Sequence, residues 1–310
     1  MRVVNELLDA SAGHHCQNGR CPKAIAAWEL VLLKEPKNLA LHYQLGRCFS
    51  GACRPHSLID NEIALEHFQA ATRLAEHQAP APVRASILDA LGKTYLSSSR
   101  FPARARRQTA IHCMQRAADL YLSEGRLEDW AREQSNLGLA KCEMPEEECP
   151  DKWSEAVDHF ETALWVRRRE RDPEGHAATL LNLGTAYRSL EKGNRQANVW
   201  KAIECYRRAL RFFQQESFPE EYATLHNNLG NACLFLPARD RATQNRNIRS
   251  ALRHLALALG PYIKSEHPHE YARTQFNRGQ ALLQLEDAEI GLNYKRAQAC
   301  FREAADCFHP

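Results

Sequence analysis

One glycine recurs at a fixed spacing: Gly46, Gly92, Gly138, Gly184 and Gly230 stand 46 residues apart, and Gly279 follows after 49. Leu precedes it in five of the six cases, as Leu45, Leu91, Leu137, Leu183 and Leu229, while Arg278 takes that place in the sixth. A period of this length is the signature of stacked supersecondary units, each unable to bury its apolar face alone. Few other architectures accept such a sequence.

A second marker runs in phase. It is Ala, a large apolar residue four positions on, and a small residue three further. The sets are Ala64/Phe68/Ala71, Ala110/Met114/Ala117, Ala156/Phe160/Ala163, Ala202/Tyr206/Ala209, Ala251/Leu255/Ala258 and Ala297/Phe301/Ala304. That spacing is one face of a helix. Each unit therefore reads as two helices, the first carrying the Gly in its body. Gly there weakens a helix by about 1 kcal/mol against Ala, so close approach of the partner helix is the reason to keep it. The Gly-to-Ala distance is 18 residues, except in the Gly230 unit, where it is 21. A three-residue insertion is thus expected between Pro237 and Asn247.

The punctuation agrees. Pro173, Pro219 and Pro268 precede three first helices and are followed by Glu174, Glu220 with Glu221, and Glu270. Pro suits a first helical turn, and acidic residues suit the positive end of the helix. Ala24, Trp28 and Val31 repeat the second marker before Pro36, and residues 3–12 read as a short helix without the Leu-Gly pair. The expected units are a degenerate one at 1–36 and full ones at about 37–79, 80–126, 127–172, 173–218, 219–267 and 268–310.

These phased residues resemble the tetratricopeptide-repeat (TPR) family. The segments that carry the likeness most clearly are His176 to Tyr187 and Ala202 to Leu210. More narrowly, Phe218-Pro219-Glu220-Glu221-Tyr222-Ala223-Thr224-Leu225-His226-Asn227-Asn228-Leu229-Gly230 resembles a phrase of long-unit bacterial repeats. The likeness spans about 22–308, although its unit is longer than the family's usual 34 residues. It implies an all-α fold, a right-handed α–α superhelix (TPR-like solenoid) of stacked antiparallel helix pairs. Thirteen or fourteen helices are expected.

The resemblance also implies a concave groove lined by first helices, with groove-facing positions counted from the Gly. Two before it stand Gln44, Ala90, Asn136, Asn182, Asn228 and Asn277; three before it stand Tyr43, Asn227 and Phe276 among others; one after it stand Arg47, Lys93 and Asn231. An amide side chain both donates and accepts, so Asn136, Asn182, Asn228 and Asn277 form a ladder suited to an extended backbone. The competing reading is that these amides tie neighbouring helices together. Arg47 and Lys93 are candidates to receive a carboxylate, and Tyr43 and Phe276 to anchor apolar groups.

Composition closes off other classes. Hydrophobic residues at 44% and charged ones at 25% describe a folded chain, and a net charge of +3 is too small to demand a nucleic-acid partner. Basic runs at Arg104–Arg107 and Arg167–Arg171 are of a kind that can touch phosphates, but the second, which contains Glu170 and follows Trp165, reads as the solvated end of a second helix, and no nucleic-acid partner is expected. No stretch reaches about 18 apolar residues, so no membrane insertion is expected. The start of the chain lacks a secretory apolar run, and the 11 cysteines read as small buried hydrophobes; the expected location is cytoplasmic. His14, His15, Cys16 and Cys21 lack a standard zinc spacing, and no phosphate loop or nucleophile elbow is present. The expectations are no enzyme, no cofactor, no metal and no catalytic residue. The protein is expected to hold a partner protein or peptide segment in its groove, or else to act as a scaffold or regulatory adaptor through its outer face or ends. The last helix, with Ala297, Phe301 and Ala304, is expected to leave an apolar strip for self-association.

Overall fold

The computed structural model describes residues 21–52, 58–168, 171–262 and 264–308, with backbone alone for 21–24, 52, 58 and 59. Residues 3–12, His14, His15 and Cys16 lie outside them. Thirteen α-helices make up the described chain: α1 (Cys21–Lys34), α2 (Leu39–Arg47), α3 (Leu58–Gln78), α4 (Ala81–Ser97), α5 (Ala103–Ser123), α6 (Leu127–Cys142), α7 (Lys152–Val166), α8 (Pro173–Ser189), α9 (Arg195–Ala209), α10 (Pro219–Leu234), α11 (Arg241–Leu259), α12 (Pro268–Leu283) and α13 (Ile290–Ala305). The chain is all-α, built of antiparallel helix pairs stacked on one another. It divides into two compact units, Met1–Pro150 and Asp151–Pro310.

In the first unit, α2 pairs with α3, α4 with α5, and α6 follows on α5. In the second, α7 packs on α8, then α8 pairs with α9, α10 with α11, and α12 with α13. The phased markers make these pairings. A Cβ added to Gly46 would stand 2.7 Å from the Phe68 ring, one on Gly184 2.6 Å from Tyr206, one on Gly230 2.7 Å from Leu255 and one on Gly279 2.6 Å from Phe301. At Gly92 the nearest atoms are the Ala110 carbonyl oxygen at 3.0 Å and Met114 Cγ at 3.2 Å. The large marker residue of each of these second helices therefore rests on the glycine of its partner, and the marker alanines beside it are buried. No side chain fits between, which is why the helix-weakening residue stays.

The helix ends follow from their residues. Pro173, Pro219 and Pro268 each open a helix, where their missing N–H would have no partner. Asn38, Asp172, Asn194 and Asp240 are N-caps whose side chains accept from Leu41, Gly175, Ala197 and Thr243. After α2 the chain makes a wide turn over Cys48–Ala52, with Gly51 at φ 96°, a conformation that suits glycine. The three extra residues of the Gly230 unit do not sit in a longer loop. They lengthen the second helix: α11 has 19 residues where α9 has 15. In α13 the markers Ala297 and Ala304 are buried, and Phe301 packs on Gly279. Its large exposed apolar residues, Ile290, Leu292 and Tyr294, gather at its start; after them the exposed apolar residues are only Ala299 and Ala305, among exposed Lys295, Arg296, Gln298 and Arg302, and Phe308 is exposed beyond its end. The apolar surface is thus a short patch, not a continuous strip.

Candidate binding cleft and the polar register of the first helices

The first unit contains a cleft of about 390 Å³ lined by Tyr43, Arg47, Asp89, Lys93, Tyr121 and Arg132, with small hydroxyl side chains between them. Three of the residues expected to face the groove, Tyr43, Arg47 and Lys93, come together here. Tyr43 is half-buried and tilts against Phe68 at 6.0 Å between ring centres; burial raises its hydroxyl pKa. Lys93 Nζ pairs with Asp89 Oδ2 at 2.9 Å. Arg132 is held by Asp129 at 2.7 Å. Arg47 is exposed, and among the described residues its guanidinium has no carboxylate partner. Gln44, beside it, is buried.

Beside this cleft lies a carboxylate in a core position. The residue five before the repeating Gly is Ile87, Thr179, Leu225 or Thr274 in four of the other units, all buried, and the half-buried Leu41 in the first; in α6 it is Glu133, with no exposed surface. Glu133 Oε2 accepts from Asn136 Nδ2 at 3.4 Å, and Oε1 has no hydrogen bond, with Arg132 Nε at 3.8 Å. Burial above all, and then the Asp89 carboxylate, push its pKa well above the usual carboxylate range, against the opposing pull of Lys93.

The asparagines follow a register within the protein. Asn136 Nδ2 also donates to Asp89 Oδ1 at 3.3 Å, and in the second unit Asn277 Nδ2 donates to Asn227 Oδ1 at 3.0 Å. In both pairs the donor stands two residues before its Gly and the acceptor three residues before the preceding Gly. By the same register Asn228 meets Leu181, which has no side-chain acceptor. Among the described residues the Asn228 amide makes no hydrogen bond. Asn182 and Asn231 are half-buried, Asn227 is buried, and Phe276 is half exposed with its ring 5.5 Å from Phe301.

A second register escaped the sequence reading. His42 and His67 meet through their Nδ1 atoms at 3.0 Å, and His226 and His254 do so at 2.9 Å. Each pair joins the residue four before the Gly to the residue just before the large marker residue. One ring donates and the other accepts. Burial first, and the neighbouring ring second, hold His67 and His226 down to about 4. The signal was present as two His–x3–Gly spacings, His42 to Gly46 and His226 to Gly230, each with a His 25 or 28 residues on.

Among the described residues no group of three or more His, Cys, Asp or Glu side chains is placed to hold a metal ion. No described helix is long and apolar enough to cross a membrane.

No protein-family model matches the chain, and no curated protein matches it. Solved structures similar to it include the following two. One is BtubC (BKLC) from P. vanneervenii, 14% identical, with 97% of this chain and 92% of that one covered and a TM-score of 0.36. The other is a circular tandem repeat protein with novel repeat topology and enhanced subunit contact surfaces, 14% identical, with 99% and 76% covered and a TM-score of 0.31. At these scores neither likeness carries an argument about fold or function. The stacked helix pairs of this chain stand on their own packing.

Proposed function

We propose that the chain is a TPR-like repeat protein of cytoplasmic, non-enzymatic type that holds an extended partner segment against its first helices, with the Tyr43–Arg47–Lys93 cleft as its anchor. The observation that carries this reading is convergence. Three of the positions that the resemblance assigns to the groove, those of Tyr43, Arg47 and Lys93, meet in one concavity of the first unit. The chemistry of that concavity then selects a partner. Arg47 has its charge unspent, Lys93 shares one carboxylate, and Tyr43 offers a half-buried ring tilted against Phe68. A carboxylate on the partner gains a charge-assisted hydrogen bond from Arg47, and an apolar neighbour packs on Tyr43.

The asparagine ladder is not the carrier. Two of its four amides, Asn136 and Asn277, bond to a neighbouring helix, which favours an interhelical role for them. Asn182 and Asn228, whose amides make no hydrogen bond among the described residues, are the members that remain available to a partner backbone.

The test is a peptide array of extended twelve-residue sequences that differ in the number and place of carboxylates, probed with the full chain and with Arg47→Ala. The reading expects acidic peptides to be enriched and Arg47→Ala to lose them. Retention of the same peptides by Arg47→Ala defeats it.

A further inference from the structure

The second unit carries a basic track on its second helices, separate from the cleft above. A concavity of about 330 Å³ is lined by Arg167, Arg168, His176, Arg208, Arg211 and Phe212. A second, of about 580 Å³, is lined by Trp200, Lys201, Glu204 and Arg207, and shares Arg208 and Arg211 with the first. The sequence run beginning at Arg167, taken as a solvated helix end, is thus met in space by a second basic run at the end of α9. Glu204 is the one carboxylate among the residues lining either concavity.

Convergence sets this surface apart. Some exposed arginines meet carboxylates, as Arg100 does Glu66, Arg249 does Asp287 and Arg296 does Glu289, and others, such as Arg104 and Arg253, have no carboxylate partner among the described residues but line neither hollow. Arg168, Arg207, Arg208 and Arg211 are exposed and, among the described residues, have no carboxylate partner. A helix C-terminus favours nearby cations, which accounts for Arg207 and Arg208 in the last turn of α9. It does not account for Arg168 and Arg211 closing on the same hollow. Arg167 and His176 are oriented by the protein itself: Arg167 Nη1 donates to the Gly175 carbonyl at 2.8 Å, and His176 Nδ1 donates to the Arg167 carbonyl at 3.0 Å. The floor of the track is therefore fixed while its rim of guanidinium groups is unneutralised.

Aromatic surface adjoins the charge. Trp200 lines the wider concavity with half its surface exposed, and Trp165, 85% exposed, stands two residues before Arg167. A single phosphate is satisfied by one or two guanidinium groups. Two adjoining hollows with a row of arginines and an open indole match a repeating phosphate backbone with a planar base beside it.

We infer that this track binds single-stranded nucleic acid, with phosphates on Arg168, Arg208 and Arg211 and a base stacked on Trp200. The inference is independent of the first-unit cleft. The test is fluorescence anisotropy of a labelled deoxythymidine oligonucleotide of about 16 nucleotides, the upper end of single-strand site sizes, titrated with the full chain over a range of salt. Binding at low salt that weakens log-linearly with salt is expected. Arg208→Ala with Arg211→Ala should weaken it at least tenfold and reduce the salt slope by about 1.4, from 0.7 per phosphate contact. Trp200→Ala should weaken it about tenfold with the slope unchanged. Each variant is checked for an unchanged melting temperature; all three side chains are at least half exposed or unpaired, so folding should be unaffected. Absence of binding overturns the inference. So does inorganic polyphosphate competing as well as the oligonucleotide while Trp200→Ala matches the parent, which would mark a surface for any polyanion. A phosphopeptide that displaces the oligonucleotide at lower concentration also overturns it.

Discussion

Replacing Gly184 by Ala tests the packing that organises the fold. The added Cβ would lie 2.6 Å from Tyr206 Cε1 and 2.8 Å from Cδ1. Real Cβ atoms do not approach so closely, so the ring or the helix must move. The ring has no room: Tyr206 is fully buried, and its hydroxyl donates to Thr185 Oγ1 at 3.3 Å. Overpacking of this kind costs about 1–3 kcal/mol, and the rigid ring places the site at the upper end. Ala is the better helix former by about 1 kcal/mol. The net expectation is a loss of about 2 kcal/mol. Gly291 supplies the control, because it lies in α13 and a Cβ there meets nothing within 4 Å. Gly291→Ala keeps the propensity gain without the clash and should be neutral to stabilising by up to about 1 kcal/mol. Urea titration followed by far-ultraviolet circular dichroism reads both. Opposite signs are expected. Equal effects, or a Gly184→Ala variant as stable as its parent, refute the claim that the glycine exists to admit the ring.

Two further outcomes follow from the polar registers. Asn277→Ala removes the bond to Asn227 and should cost about 1 kcal/mol, more because Asn227 is buried and loses its partner, whereas Asn228→Ala should leave the melting temperature unchanged; equal effects of the two would dismiss the register. The histidine pairs set a pH dependence. His67 and His226, held near 4 in the folded protein, lie below the unfolded value of about 6.5, so the unfolded chain binds more protons between these limits. Stability is therefore lost as pH falls from about 6.5 towards 4. The groups facing them modulate this: the Glu66 carboxylate favours protonation of His67, while Arg207 and Arg253 oppose that of His254. The double variant His67→Phe with His226→Phe should melt with a shallower fall across this range than the parent, and parallel curves would count against the pairs as its source.

The fold was legible because the glycine and its large apolar partner are two halves of one contact. Their phase gave the pairs α2–α3, α4–α5, α8–α9, α10–α11 and α12–α13, and Pro173, Pro219 and Pro268 gave the starts of α8, α10 and α12. The insertion was placed to within a few residues, but spacing alone does not tell a longer loop from a longer helix. Arg241 and the residues after it extend α11 because Asp240 caps it there. The site was legible in part. Tyr43 and Arg47 lie four residues apart on one face of α2, and Lys93 repeats the place of Arg47, one after its own glycine. Asn136 and Asn277 share a place two before their glycines, yet their partners are set by the stagger between consecutive first helices, which one helix's sequence does not encode. Glu133 was missed for a similar reason. It reads as one more surface acid until the position five before the glycine is recognised as core. The Arg208 and Arg211 track needed the ends of α7 and α9 brought side by side.

The central claim is that the first-unit cleft anchors an acidic partner segment, and calorimetric titration of the tightest acidic peptide from the array tests it most directly. Arg47→Ala removes a charge-assisted bond worth about 1.5–3 kcal/mol, which is roughly a tenfold to hundredfold loss of affinity. Lys295→Ala, on exposed α13 of the second unit, is the control for general charge. The account expects the tenfold or greater loss with Arg47→Ala at an unchanged melting temperature, and no change with Lys295→Ala. Equal affinity of the parent and Arg47→Ala would contradict it.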